Sequence, residues 1–399
     1  MNCKEKIRLS YLSLDFGTTS LKAGLFTVSK KQKNNLDDLK FELESFPYQN
    51  GPTNLVLPIA KNEIDFFAPT LTNFLAALQS ALLFFTNRGY NLHSLNGITV
   101  FGCAPTLLVL DKNRKPISDL FLASKFKAAN RGGFGYYDLQ LLGLLKELGY
   151  NVDLEDSKLV YKKFKGCLFI PFTDYVGYLL TGVARFSVAS GKLKPYFYSN
   201  TFRGLFPSNC KLGDKVGTTK NGLTSFFKNT NIPLYSGGAD YISDMIGTNF
   251  CDSQVGLLRC GSKEGFNLLV KNRAKALRAK IFGFSVMPHP FIKGYVVSKI
   301  VEPFSSINME KYLAVLDNNF LKYIKEENGV RKIVLCGGSA NNIEANKIRE
   351  KLLGESLIVS TWGRYCGVAG GVGLMLYRQG YFKTLGGTSK FLSTFAQKK

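Results

Sequence analysis

Apolar positions along this chain change their period repeatedly, and each change marks an element. Leu9, Tyr11, Leu12 and Leu14 form a nearly continuous apolar run that stops at Asp15-Phe16-Gly17-Thr18-Thr19-Ser20, and residues 21–28 resume an extended pattern. This predicts a β-hairpin whose turn is rich in glycine and hydroxyls. Residues 30–38 are polar and predict an exposed connection. Phe74, Leu75, Leu78, Leu82 and Phe85 keep helical spacing from Leu71 to Asn87, closed by Gly89. Strands are expected at Gly97–Gly102 and Leu107–Leu110, with a turn over 111–114. Helix layered on sheet follows from this alternation, which places the chain in the α/β class.

Further along, the basic, glycine-rich residues 125–135 predict a loop, and helices are expected over 137–148 and over 172–180, the second stopped by Thr181-Gly182. A short strand at 232–235 runs into Gly237-Gly238-Ala239-Asp240, with a helix over 241–247. The opening pattern then returns. Residues 255–260 are extended, Gly261-Ser262-Lys263-Glu264-Gly265 interrupts, and 266–270 are extended again, about 245 positions after the first hairpin. The recurrence predicts two facing domains of related architecture, residues 1–246 and 247–399. A third glycine cluster, Cys336-Gly337-Gly338-Ser339-Ala340-Asn341-Asn342, sits between a strand at 332–335 and a helix at 343–353. A strand near 356–360 leads to residues 365–380, whose small side chains allow a closely packed helix, and the tail beyond Gly386 and Gly387 is expected to fray.

Composition narrows the function classes. At 399 residues the chain is long enough for two or three domains of about 150 residues. With 45% hydrophobic and 20% charged residues, it reads as globular and neither disordered nor fibrous. The longest apolar run, 74–85, is broken by Gln79 and Ser80 and falls short of the ~20 residues a bilayer demands, so no membrane association is expected. Residues 1–14 lack the pattern of a secretory signal. Eight scattered cysteines without a CxxC pair, and only two histidines, His93 and His289, argue against structural zinc and a disulfide framework and for a reducing cytoplasm. Cys260 reads as a buried strand cysteine, and the histidines as surface or structural residues. Fifty-two basic against 29 acidic residues leave a net charge of +23. Because 39 of the basic residues are lysines spread along the chain, solvated faces explain the excess, and nucleic acid is disfavoured as a partner. An anionic substrate would benefit from the charge.

The first hairpin turn carries the clearest chemistry. Gly17 lets backbone amides approach phosphate oxygens, Thr18 and Thr19 add hydroxyl donors, and Lys22 supplies a point charge, a set suited to a polyphosphate. Asp15, at the end of a buried strand, is a candidate for holding Mg²⁺ through water. An ordinary hairpin with polar turn residues fits the same segment. Asp15-Phe16-Gly17 is not a protein-kinase element, because only 14 residues precede it, and no GxxxxGK[ST] loop occurs.

Asp15-Phe16-Gly17-Thr18-Thr19-Ser20-Leu21-Lys22 resembles the first phosphate motif of the FGGY carbohydrate kinases, the group of xylulokinase and glycerol kinase within the actin-like ATPase superfamily. Further stretches agree in order: residues 169–182 with Asp174-Tyr175 and Leu180-Thr181-Gly182, then Leu212-Gly213 through Gly222-Leu223 to Gly237-Gly238-Ala239-Asp240, then Gly261-Ser262, then Gly337 to Asn342. The resemblance spans residues 8–380. It implies a two-domain actin-like ATPase fold, related to ribonuclease H, with a duplicated core. It also implies ATP and Mg²⁺ as cofactors and a small sugar or polyol, xylulose first, as the substrate. By resemblance Asp240 is the general base, Asp15 binds Mg²⁺, and Gly17, Thr18, Thr19 and Lys22 meet the phosphates. Gly261 and Ser262 approach from the second domain, and Gly337, Gly338 and Asn341 line the adenosine site. Domain closure would expel water from the reacting phosphate. A homodimer is one assembly this reading allows.

Several positions depart from the family pattern. Cys103-Ala104-Pro105-Thr106 stands where many sugar-specific members carry Gln-Met-His-Gly, and the Trp, Asp and Arg expected near 122–125 are replaced. Glu264 would repel a phosphate unless it points away, and Gly337 follows Ser262 by only 75 positions. These features suit a compact, divergent kinase; they also suit a nucleotide-binding pseudokinase with a regulatory or interaction role.

Overall fold

The structure is a computed structural model and describes residues 7–32, 35–48, 70–122, 136–152, 156–187, 202–222, 224–227, 229–250, 253–261, 264–301, 322–324, 329–353 and 356–396. By internal contacts the chain divides into two units, Met1–Asp240 and Tyr241–Lys399.

In the first unit, β1 (Ile7–Phe16) turns into β2 (Ser20–Gln32), and β3 (Asn35–Pro47) returns antiparallel along β2. From Tyr11 to Phe16 every residue of β1 is buried, as a central strand covered on both faces requires. Helix α1 (Leu71–Asn87) begins with a capping box in which Thr70 and Asn73 satisfy each other's backbone amides. Its apolar stripe of Phe74, Leu75, Leu78, Leu82 and Phe85 is buried in the core. Strand β4 (Gly97–Gly102) lies parallel to β1. After it, β5 (Leu107–Leu110) pairs antiparallel with β6 (Leu168–Pro171) in a separate two-stranded sheet. Helices α2 (Tyr136–Glu147) and α3 (Ser157–Lys163) lie between those strands in sequence, and α4 (Phe172–Thr181) follows, ended by Gly182 at φ 70°. Strands β7 (Lys215–Thr218) and β8 (Pro233–Ala239) complete a six-stranded sheet ordered β3-β2-β1-β4-β8-β7.

Helix α5 (Asp240–Gly247) leads into the second unit. Its strands are β9 (Val255–Cys260), β10 (Glu264–Val270), β11 (Ser285–Pro288), β12 (Tyr295–Val301), β13 (Lys332–Cys336) and β14 (Ser356–Val359), ordered β11-β12-β10-β9-β13-β14. Helices α6 (Arg273–Arg278), α7 (Ile343–Leu353), α8 (Cys366–Arg378) and α9 (Leu385–Ala396) accompany them. The two sheets share one plan. A three-stranded antiparallel meander, β1-β2-β3 or β9-β10-β12, is extended from its first strand by two parallel strands, β4 and β8 or β13 and β14. The duplicated α/β core expected from the recurring hairpin is therefore present.

Two expectations are corrected. The polar stretch 30–38 is mostly strand: β2 runs to Gln32 and β3 starts at Asn35, its backbone paired with β2 although its side chains alternate with charge. Beyond Gly387 the chain is helical as far as Ala396, the end of α9, with Thr388, Ser389 and Leu392 buried. Gly373 of α8 explains the docking, since a Cβ there would lie 3.1 Å from a Leu392 methyl. The predicted loop 125–135 lies outside the described residues. No described helix is long and apolar enough to cross a membrane.

Candidate active site

Strands β1, β4 and β8 run parallel, so their C-terminal ends share one edge of the first sheet, with Phe16 beside Gly102 and Gly102 beside Ala239. The residues that leave the sheet there are the turn at Gly17, Cys103 and Asp240. In open α/β sheets this edge is where ligands bind. Asp15 is buried at the end of β1, whereas Asp240 is half-buried at the start of α5. Both carboxylates act on the same neighbours. Burial pushes the Cys103 thiol up to about 12, and the negative charges of Asp240 and Asp15 add to that push against a hydrogen bond with Thr106. Tyr48 is held well above the usual phenol range by burial first, then by the charges of Cys103, Asp15 and Asp240.

The turn between β1 and β2 is fixed from below and open above. Gly17 N donates to Ser20 O at 3.0 Å, and Tyr48 N donates to Thr19 O at 3.3 Å. The Tyr48 ring stacks on Phe74 with centroids 4.2 Å apart, and Phe74 meets Phe172 edge-on at 4.7 Å. Phe16 joins the same stack, 4.9 Å from Phe172. Four aromatic rings thus form a pedestal under the turn. Above it, Thr18 and Thr19 are exposed and Lys22 is half-buried. Lys22 Nζ lies 2.9 Å from the position a Cβ on Gly17 would take, so the ammonium is folded over the glycine backbone.

Asp240 is delivered by a bulge. The register between β4 and β8 slips between Val100 and Phe101, which pair with Ser236 and Gly238. Gly237 is the extra residue, and a Cβ on it would land on the Val100 carbonyl. Gly238 then adopts φ 128°, which an L side chain rarely takes. The strand predicted at 232–235 is therefore longer than the sequence pattern gives, because it takes in the Gly237-Gly238 pair. This strand, β8, continues to Ala239 and aims Asp240 at the edge that also carries Asp15.

In the second unit, β13 runs parallel to β9, so the β9–β10 turn and the loop after β13 also share an edge. Ser339 N donates to Cys260 O at 3.1 Å, and Gly337, at φ 99°, would place a Cβ 2.5 Å from the same oxygen. Gly261, Gly338 and Asn341 are exposed around this contact. Ser262 and Lys263 lie outside the described residues. Glu264 does not face the turn as an open anion: it is buried and ion-paired to the fully buried Arg349 of α7. Cys260 is buried in the strand, its thiol pushed up to about 12 chiefly by burial.

Each unit therefore gathers its own sequence-predicted residues, Asp15, Gly17, Thr18, Thr19, Lys22 and Asp240 in the first and Gly261, Gly337, Gly338 and Asn341 in the second. Tyr48 and Arg349 carry no motif and were not expected. The only sign of Tyr48 in the sequence is an aromatic residue just past the strand that pairs with β2. Asp174 is structural. It is buried within α4, accepts from Ser187 N and Oγ, and is pushed up to about 7 by burial. Of the histidines, His93 is exposed and His289 is buried, its Nδ1 accepting from Phe291 N and Ile292 N.

The described residues hold no cluster of three or more His, Cys, Asp or Glu that could bind a metal on protein ligands alone. One buried carboxylate with a second nearby suits magnesium, which keeps its waters and takes its remaining ligands from phosphate oxygens.

With its duplicated mixed sheets, the chain has the actin-like ATPase fold of the FGGY kinases. Among solved structures, glycerol kinase of Plasmodium falciparum with ADP matches with a TM-score of 0.65 at 11% identity, over 96% of this chain and 92% of that one. Gluconate kinase of Lactobacillus acidophilus matches with a TM-score of 0.61 at 10% identity, and ligand-bound xylulose kinase of the same organism with 0.60 at 11%; both cover 98% of this chain and 96% of theirs. No family model and no curated protein matches the sequence.

Proposed function

We propose that the chain is an ATP-dependent phosphotransferase whose acceptor is a small sugar or polyol, with xylulose the first to test. The observation that carries this reading is the meeting of the Asp15 turn and Asp240 at one strand edge of the first unit, where both charges act on Cys103. Asp240 accepts the proton of the acceptor hydroxyl as its oxygen bonds to the γ-phosphorus, and the bond from that phosphorus to the β–γ bridging oxygen breaks to release ADP. A half-buried aspartate at the end of a buried strand is accessible to an acceptor. Gly17, Thr18, Thr19 and Lys22 bind and orient the phosphates with backbone amides, hydroxyls and one ammonium. Asp15 would hold Mg²⁺, which when bound neutralises charge on the phosphates. Within the second unit, Gly261 and Ser262 are the phosphate-turn residues of this reading, and Gly337, Gly338 and Asn341 its adenosine residues.

A second reading, nucleotide binding without transfer, is favoured by one observation. The half-buried segment beside Asp240 offers a thiol, a methyl and a proline ring, Cys103-Ala104-Pro105, where sugar hydroxyls need paired donors and acceptors. The buried partner of Glu264 removes the other objection to transfer, an open anion at the second phosphate turn. A panel of sugars and polyols with Mg·ATP separates the readings. Acceptor-dependent ADP release supports the transferase, whereas nucleotide binding with no stimulation by any acceptor supports the second reading.

A further inference from the structure

We propose that Glu264, Arg349 and Asn346 form a positioning relay that ties the start of β10 to the loop 337–342, so that this strand end and the loop proposed to meet the nucleotide keep one fixed spacing. The inference rests on the nucleotide-binding part of the reading above and extends it to residues outside every motif. Glu264 is the first residue of β10, directly across from Cys260 and three positions after Gly261. It is 1% exposed, and Arg349 is fully buried. Glu344, Lys347, Glu350 and Lys351 of the same helix are exposed, so α7 turns this one arginine inward against its otherwise solvated charge.

The guanidinium serves two partners. Its Nη2 donates to Glu264 Oε1, and its Nη1 donates to Asn346 Oδ1 at 2.6 Å. Asn346 Nδ2 in turn donates to Ala340 O at 2.8 Å. This side-chain path runs from the start of β10 to the glycine loop. A second path, made of backbone alone, joins Ser339 N to Cys260 O. Stability does not require the side-chain path, because a buried ion pair is often matched or exceeded by apolar residues of similar volume. A planar fork adds direction, fixing a carboxylate and an amide at once. The pair also turns the Glu264 charge away from a turn that would meet phosphate.

The test uses the full chain in two forms, Asn346→Ala, which cuts the path at a half-buried residue, and Glu264→Met with Arg349→Met, which removes the pair without stranding a charge. ADP binding is measured by calorimetry, and amide exchange is measured without nucleotide. Both forms are expected to fold, to exchange faster across 337–342, and to bind ADP about fivefold more weakly, the factor equivalent to one net hydrogen bond. Unchanged exchange with ADP affinity within about twofold of wild type overturns the relay. A wild-type chain that fails to bind ADP overturns the nucleotide reading instead, and the exchange measurement still decides whether the relay orders the loop.

Discussion

The hydroxyl of Tyr48 donates to the carbonyl oxygen of Gly17 at 2.8 Å. The bond ties the β1–β2 turn to an aromatic stack that includes Phe74 and Phe172, while Thr18 and Thr19 stay exposed. Tyr48→Phe keeps the ring and removes the donor. It is expected to lower unfolding stability by about 1 kcal/mol in denaturant titration and to weaken ATP binding, because the turn loses its anchor but not its pedestal.

Gly237→Ala tests the bulge that delivers Asp240. The new Cβ would meet the Val100 carbonyl, which belongs to the paired backbone of β4 and has little freedom to move. A loss of about 3 kcal/mol in unfolding free energy is expected, together with loss of any transfer activity. Wild-type stability would show that β8 does not approach β4 this closely.

Asp174 makes the stability of the first unit depend on pH. Burial raises its carboxyl to about 7 despite two hydrogen bonds from Ser187, so the folded chain keeps a proton that the unfolded chain has already lost. Stability therefore falls as pH rises from about 4 to 7, and the deficit is fully present above that window. Asp174→Asn removes the charge. Its unfolding free energy should exceed that of wild type at pH 8 by up to about 4 kcal/mol, and the difference should vanish near pH 4. A variant that is less stable at pH 8 would mean that the ionised carboxylate is better solvated than its burial implies.

Much of this architecture is legible in the residue pattern, and the failures have physical causes. Helix α1 and strand β4 are readable to the residue because one face or the whole segment is apolar and the ends carry caps or glycine. Strand β3 is not, because Asp38, Lys40, Glu42 and Glu44 alternate along an edge strand, and its pairing is a property of the backbone. Helix α9 is masked by Gly386 and Gly387, which read as a stop, while its order comes from packing against a glycine of α8. Asp15 and the hydroxyl turn stand out because glycine, hydroxyl and carboxylate rarely end a buried strand together. Tyr48 and Arg349 act through tertiary contacts with residues 31 and 85 positions away, a distance no local pattern records.

The most direct test of phosphoryl transfer at this site compares wild type with Asp240→Asn, following the phosphorylated acceptor by phosphorus NMR in the presence of Mg·ATP. With Asp240 as the base, the variant should bind ATP as wild type does and transfer about 10²- to 10⁴-fold more slowly. Transfer at the wild-type rate by Asp240→Asn would contradict the assignment.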